Sequence, residues 1–148
     1  MADDVIDLIL ADHEKFKGWC DTLESEDEDL DKAKVYRELA DLLIPHSEAE
    51  ESVVYPAIEE AAPKQEEEVK DGAAEHHHIE EAMQRLLDDG PDAPGSDGVE
   101  AALVAELRHH MEEEEDDVLP DYKDKTTVAQ RREIGEKFVE AKEKARSI

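Results

Sequence analysis

His46-Ser47-Glu48-Ala49-Glu50-Glu51-Ser52-Val53-Val54-Tyr55-Pro56 returns later in the chain as His110-Met111-Glu112-Glu113-Glu114-Glu115-Asp116-Asp117-Val118-Leu119-Pro120. Both copies read H-x3-E-E-x4-P. Residues four apart on an α-helix stand one above the other on the same face, so His46 with Glu50, and His110 with Glu114, each form a pair able to grip one cation. The repeat extends outward: His13 precedes His46 by 33 residues and His76 precedes His110 by 34, each directly after an acid, Asp12 or Glu75. A helix with a histidine followed by a helix with a His/Glu pair is therefore expected twice.

The apolar periodicity places these residues inside. Ile6, Ile9, His13, Phe16, Cys20 and Leu23 recur at steps of three and four, the stripe of a helix over residues 4–24 that faces a bundle seam. A second helix starts near Asp31 with Leu39, Leu42 or Leu43, His46, Glu50, Val53 and Ala57 on its stripe. Pro45 removes one backbone hydrogen bond and predicts a kink just before the ligand-bearing turn. Pro63 marks the start of a third helix, which carries His76, Ile79, Met83 and Leu86 on one face and stops at Asp88-Asp89-Gly90-Pro91; Gly72 weakens its first half. Residues 90–98 read as a loop. A fourth helix is expected over residues 99–119, ended by Pro120, and a fifth over residues 127–146 presents Ile134, Phe138, Ala141 and Ala145 on one face. No stretch alternates long enough for a strand. The fold class is all-α: an up-down-up-down four-helix bundle over residues 1–122 with an additional C-terminal helix over residues 123–148 packed on it.

Composition narrows the partners. Forty-four acids against 17 Lys and Arg give a formal charge of -27, which opposes binding to nucleic acid or anionic membrane. Residues 5–11, the longest early apolar run, contain Asp7 and lack a basic flank, so they fail as a signal peptide or membrane span, and a cytoplasmic monomer is expected. Cys20 has no partner for an internal disulfide and reads as a small core filler. No Gly-rich phosphate loop and no nucleophile elbow is present.

A lone histidine on an apolar stripe is usually a hydrogen-bonded core residue. Four of them on the buried stripes of four helices, with two glutamates, form a different object, because buried carboxylates need a compensating positive charge. A metal supplies it. Successive helical residues point about 100° apart, so His76 takes the inward face while His77 and His78 turn to the surface or to supporting positions, and His110 outranks His109. Glu115, five residues after His110, is a weaker candidate ligand. Trp19 lies one position off its helix's stripe and reads as a boundary residue.

The ordered set of Asp12-His13, both H-x3-E-E-x4-P copies and Glu75-His76-x-x-Ile79 resembles the hemerythrin-like family, the HHE cation-binding domains. Residues 134–138 also resemble the tail of bacterial members. The resemblance implies a four-helix bundle around two iron ions, a non-haem di-iron centre, with zinc or manganese as substitutes. It implies His13, His46, Glu50, His76, His110 and Glu114 as ligands, the two glutamates bridging, and a small ligand such as dioxygen, peroxide or nitric oxide. Where typical members have a second histidine four residues after the third-helix histidine, this chain has Glu80. Glu80 is thus either a seventh, carboxylate ligand, which would oppose reversible oxygen carriage, or a solvent-facing residue that leaves one metal position open. Catalase- or peroxidase-like turnover is the enzymatic form of such a centre. The rival is a ferritin-like site or an inert structural zinc site; Glu75-x-x-His78 and Glu106-x-x-His109 have the ferritin-like letters but lie off the core stripe.

Overall fold

The computed structural model describes residues 2–146, and within them every regular element is helical. Helix α1 (Val5–Glu24) is followed by α2 (Lys32–Ala49), a π-helical turn (Glu50–Val54) and α3 (Tyr55–Ala61), which together form one continuous rod. A 3-10 turn (Pro63–Gln65) leads into α4 (Glu66–Asp89). The next rod is α5 (Ser96–Glu113), a second π-helical turn (Glu114–Val118) and α6 (Leu119–Lys125), and α7 (Val128–Arg146) ends the described chain. The four rods pack α1 on α2, α2 on α4, α4 on α5 and α5 on α1, closing an up-down-up-down bundle, with α7 laid against α1 and α2.

The caps explain the starts. Asp4 and Asp31 accept hydrogen bonds from the Ile6 and Lys34 backbone N–H groups, holding the first turns of α1 and α2. The fourth rod differs from expectation at both ends. It begins at Ser96, whose hydroxyl donates to the Gly90 carbonyl, so the turn closes early and Gly98 lies within the helix. It also continues through Pro120, which sits near the start of α6. The second rod likewise runs on through Pro45, and its departure from α geometry falls at residues 50–54.

The two π turns follow from the repeat. His46, Glu50, Val54 and Ile58 are all buried, as are His110, Glu114, Val118 and Tyr122, each set spaced by four. In an ideal α-helix every four-residue step drifts about 40° around the axis, so such a set would wind off the buried face. One widened turn takes up the drift. The proline favours it there: lacking an N–H, Pro56 or Pro120 cannot bond four residues back, and the residue just before it donates five residues back instead, Tyr55 to the Glu50 carbonyl and Leu119 to the Glu114 carbonyl.

The interior holds two apolar clusters. Phe16, Leu39, Leu43, Met83, Leu103 and Leu107 belong to one apolar cluster, in which Cys20 is also buried and its thiol pushed up to about 11 by burial. Val5, Ile9, Val54, Ile58, Tyr122 and Phe138 belong to a second, to which α7 brings its phenylalanine. Along the chain His13, His46, His76 and Glu114 each fall between a member of one cluster and a member of the other.

The N-terminal segment is tied down across α7. Arg131 donates to Asp4 at 2.7 Å and to the Thr126 carbonyl at 2.9 Å, and a Cβ on Gly135 would stand 2.0 Å from the Asp3 carbonyl oxygen. Gly135→Ala should therefore destabilise by roughly 1–2 kcal/mol, because overpacking against backbone outweighs the gain in helix propensity. Gly18, on the exposed side of α1 with nothing within 4 Å of its added Cβ, should gain about 0.5–1 kcal/mol as alanine. Urea unfolding midpoints that move in opposite directions are the expected result.

Candidate metal centre

The six residues expected to converge do so. His13, His46, Glu50, His76, His110 and Glu114 are each at most 4% exposed. His46 Nε2 lies 3.0 Å and His76 Nε2 3.2 Å from the same oxygen, Glu50 Oε1. Glu114 uses both oxygens: Oε1 is 3.2 Å from His13 Nε2 and Oε2 is 3.2 Å from His110 Nε2. The Nε2 atoms of His76 and His110 are 3.0 Å apart. Each carboxylate thus stands between an imidazole of its own rod and one of another: Glu50 between His46 and His76, Glu114 between His110 and His13.

The outer nitrogens fix the rings. His46 Nδ1 meets Asp12 at 2.7 Å, His13 Nδ1 meets Glu115 at 2.8 Å and His110 Nδ1 meets Glu75 at 2.9 Å. A carboxylate can only accept, so each Nδ1 carries the proton and each Nε2 is turned inward as a donor to a cation. Asp12 and Glu75 therefore support the histidine of another helix and not the one beside them in sequence. Glu115, a candidate ligand by spacing, serves His13 as an outer partner.

The donor set fits a cation. Both oxygens of Glu50 and Oε1 of Glu114 are buried without a hydrogen bond, an arrangement that costs free energy unless positive charge offsets it. Neighbouring donors around a metal at about 2.1 Å lie about 3.0 Å from one another, close to the 3.0–3.2 Å spacings here. One atom from each of Glu50, His76, His110 and Glu114 falls within 4.8 Å of all the others. The family model described as the hemerythrin HHE cation binding domain matches residues 4–140.

This chain belongs to the hemerythrin HHE cation-binding family. No curated protein and no solved structure gave a match. The family match ends at residue 140, within α7.

Glu80 is not among the residues whose donor atoms are gathered with those of Glu50, His76, His110 and Glu114. It is half-buried, its Oε1 is buried without a hydrogen bond, and burial together with the Glu51 charge raises its pKa. Tyr55 also reaches the hemerythrin-like cluster. Its hydroxyl donates to Glu114 Oε2 at 2.7 Å, lies 3.4 Å from Nε2 of both His76 and His110, and its ring stacks on His76 at 5.5 Å. Gly72 makes room for it: a Cβ there would be 3.0 Å from the Tyr55 hydroxyl. The signal in the sequence was the difference between the two copies, tyrosine before Pro56 where the second copy has leucine before Pro120.

His77, His78 and His109 are on the surface, with side chains 70%, 67% and 61% exposed, and pair with Glu51, Glu106 and Glu113. The ferritin-like pairing of Glu75 with His78 and Glu106 with His109 is thus not assembled in the interior. Among the described residues no helix is long and apolar enough to cross a membrane.

Without a cation, protons hold the cluster together. Burial would lower the His46 pKa, but Glu50 and Asp12 override it and push it up to about 9. His110 is raised well above its usual value by Glu114 and Glu75 against the same burial. Glu114 goes the other way: burial would raise it, and His110 and His13 hold it well below the carboxylate range. Burial and the charges of Glu114 and Glu50 keep the Tyr55 phenol protonated. A narrow cavity of about 10 Å³, near the least that admits one water, is lined by Tyr55, Glu68, Glu75, His110, Glu113 and Glu114.

Proposed function

We propose that the chain is a non-haem di-iron protein that reacts with peroxide or dioxygen, with nitric oxide as a further small ligand, and that peroxide turnover is its main chemistry. The observation that carries two cations is the position of the carboxylates. Glu114 offers one oxygen toward His13 and the other toward His110, and Glu50 lies between His46 and His76. One ion at His13/His46 and another at His76/His110 would share both glutamates. A pair of iron ions supplies the two-electron redox capacity that such substrates require.

The protein's own groups set the direction. Two buried carboxylates are hard, oxygen-donor groups that favour the oxidised metal, which supports turnover over reversible carriage. Tyr55 holds a proton at its oxygen, 2.7 Å from Glu114 and beside both inward-facing nitrogens of His76 and His110. It is placed to hand that proton to one peroxide and to recover a proton from the next, with Glu114 accepting its hydrogen bond throughout. The apolar clusters and the narrow cavity restrict access to molecules about the size of water or peroxide.

Protein purified with iron present should carry about two irons per chain, change its visible spectrum with oxygen and evolve gas from peroxide over many turnovers. Tightly bound zinc with no spectral response would overturn the reading. Tyr55→Phe keeps shape and removes the proton, so peroxide turnover should fall by roughly 100-fold, while Glu80→Gln should stay within about twofold because Glu80 lies outside the gathered donors of Glu50, His76, His110 and Glu114. Initial rates of oxygen evolution decide between them, and equal losses in the two variants would contradict the assignment.

A further inference from the structure

We infer that the two halves of the centre bind cations unequally and fill in order, the His76/His110 half first and the His13/His46 half second, because Lys17 and Lys142 hold positive charge behind the carboxylates that support the second half. The inference rests on the two-cation reading above and adds to it an order of loading and the residues that set it.

The asymmetry lies one shell out from the histidines. Glu115, which accepts from His13, also takes Lys17 Nζ at 3.0 Å. Asp12 accepts from His46 and takes Lys142 Nζ at 2.9 Å on the same oxygen. Lys142 comes from α7 and is fixed by lying 4.9 Å over the Phe138 ring, whose edge meets His46 at 5.6 Å. On the other half, Glu75 pairs with His110, while Glu51 lies near His76 at 3.8 Å and His77 at 3.7 Å, so these carboxylates face histidines.

Charge decides the sign. A carboxylate behind an imidazole makes its inward nitrogen a stronger donor, and a lysine on that carboxylate cancels part of the effect while adding direct repulsion of a cation. Both supported histidines of one half carry that handicap. The other half has its four donors already gathered within 4.8 Å, has the Tyr55 oxygen beside it, and borders the cavity lined by Glu68, Glu75 and Glu113, through which a cation would be drawn.

The test is a Co2+ titration of the intact, chelator-stripped protein, followed by calorimetry and by visible absorption. Two steps are expected, the second at least about tenfold weaker than the first. Lys142→Gln should tighten the second step roughly tenfold and leave the first within about twofold, and Lys142→Arg, which keeps the charge, should reproduce the parent titration. Lys17→Gln, at a more exposed position that carries little risk to folding, should act in the same direction. His46→Ala should delete the weak step and His76→Ala the tight one. Two equal steps, or Lys variants that shift both steps alike, or loss of the weak step in His76→Ala, would overturn the inference. A single Co2+ per chain in the parent protein would instead overturn the two-cation reading, and the stoichiometry reveals that before any variant is made.

Discussion

Alanine at His76 or at His110 is expected to weaken cation binding by more than about 100-fold, whereas alanine at His77 or His109 should leave it within about twofold. The contrast is large because neighbours in sequence have opposite surroundings. His76 and His110 are 2% and 4% exposed and bring their Nε2 atoms to 3.0 Å from each other. His77 and His109 have side chains 70% and 61% exposed and pair with Glu51 and Glu113. Losing an inner imidazole removes a donor and leaves Glu50 or Glu114 with less positive charge around it in a dry interior. Metal content after gel filtration, with a competing chelator to set the affinity scale, measures the difference. Similar losses in all four variants would mean that the centre is not where the buried histidines are.

The second large effect concerns stability after metal removal. Stripped protein should be most stable between about pH 4.5 and 6.5 and should lose about 3 kcal/mol by pH 9. His46 rises from an ordinary 6.5 to about 9 in the fold. A histidine raised in this way contributes stability that is complete below 6.5 and is lost as pH climbs through the folded value. His110 is displaced in the same direction. Glu114 is depressed, so its contribution is present above the usual carboxylate value and is lost as pH falls. In the loaded protein cations replace these protons, and the alkaline decline should disappear. Urea unfolding of both forms at pH 6 and pH 9 compares them. A stripped protein equally stable at the two pH values would contradict the proton-held cluster.

Much of this was legible because one repeat carried both fold and site. Helical stripes that put Ile9, His13 and Phe16 on one face require only a fixed angular step, and the same step separates His76 from His77. The π turns escaped that logic. A proline reads as a break, yet Pro120 sits where a widened turn has already freed the chain from needing its N–H, and the four-residue spacing of His110, Glu114, Val118 and Tyr122 was the evidence for such a turn. Tyr55 escaped because its role depends on two distant places, the bare backbone of Gly72 and the Glu114 oxygen, which no single helix's periodicity contains. The crossed support of His46 by Asp12 and of His110 by Glu75 is likewise a property of helix packing. Glu80 has the same spacing from His76, but its donor atoms are not gathered with those of Glu50, His76, His110 and Glu114.

Under the proposed function, Glu50 and Glu114 join two cations inside one bundle. Mössbauer spectroscopy of protein loaded with iron-57, paired with iron analysis, tests it most directly. The account predicts about two irons per chain, coupled to each other in the ferric form so that no isolated paramagnetic iron is seen at low temperature, with the coupling lost in Glu114→Ala. One magnetically isolated iron per chain, unchanged by that substitution, would contradict it.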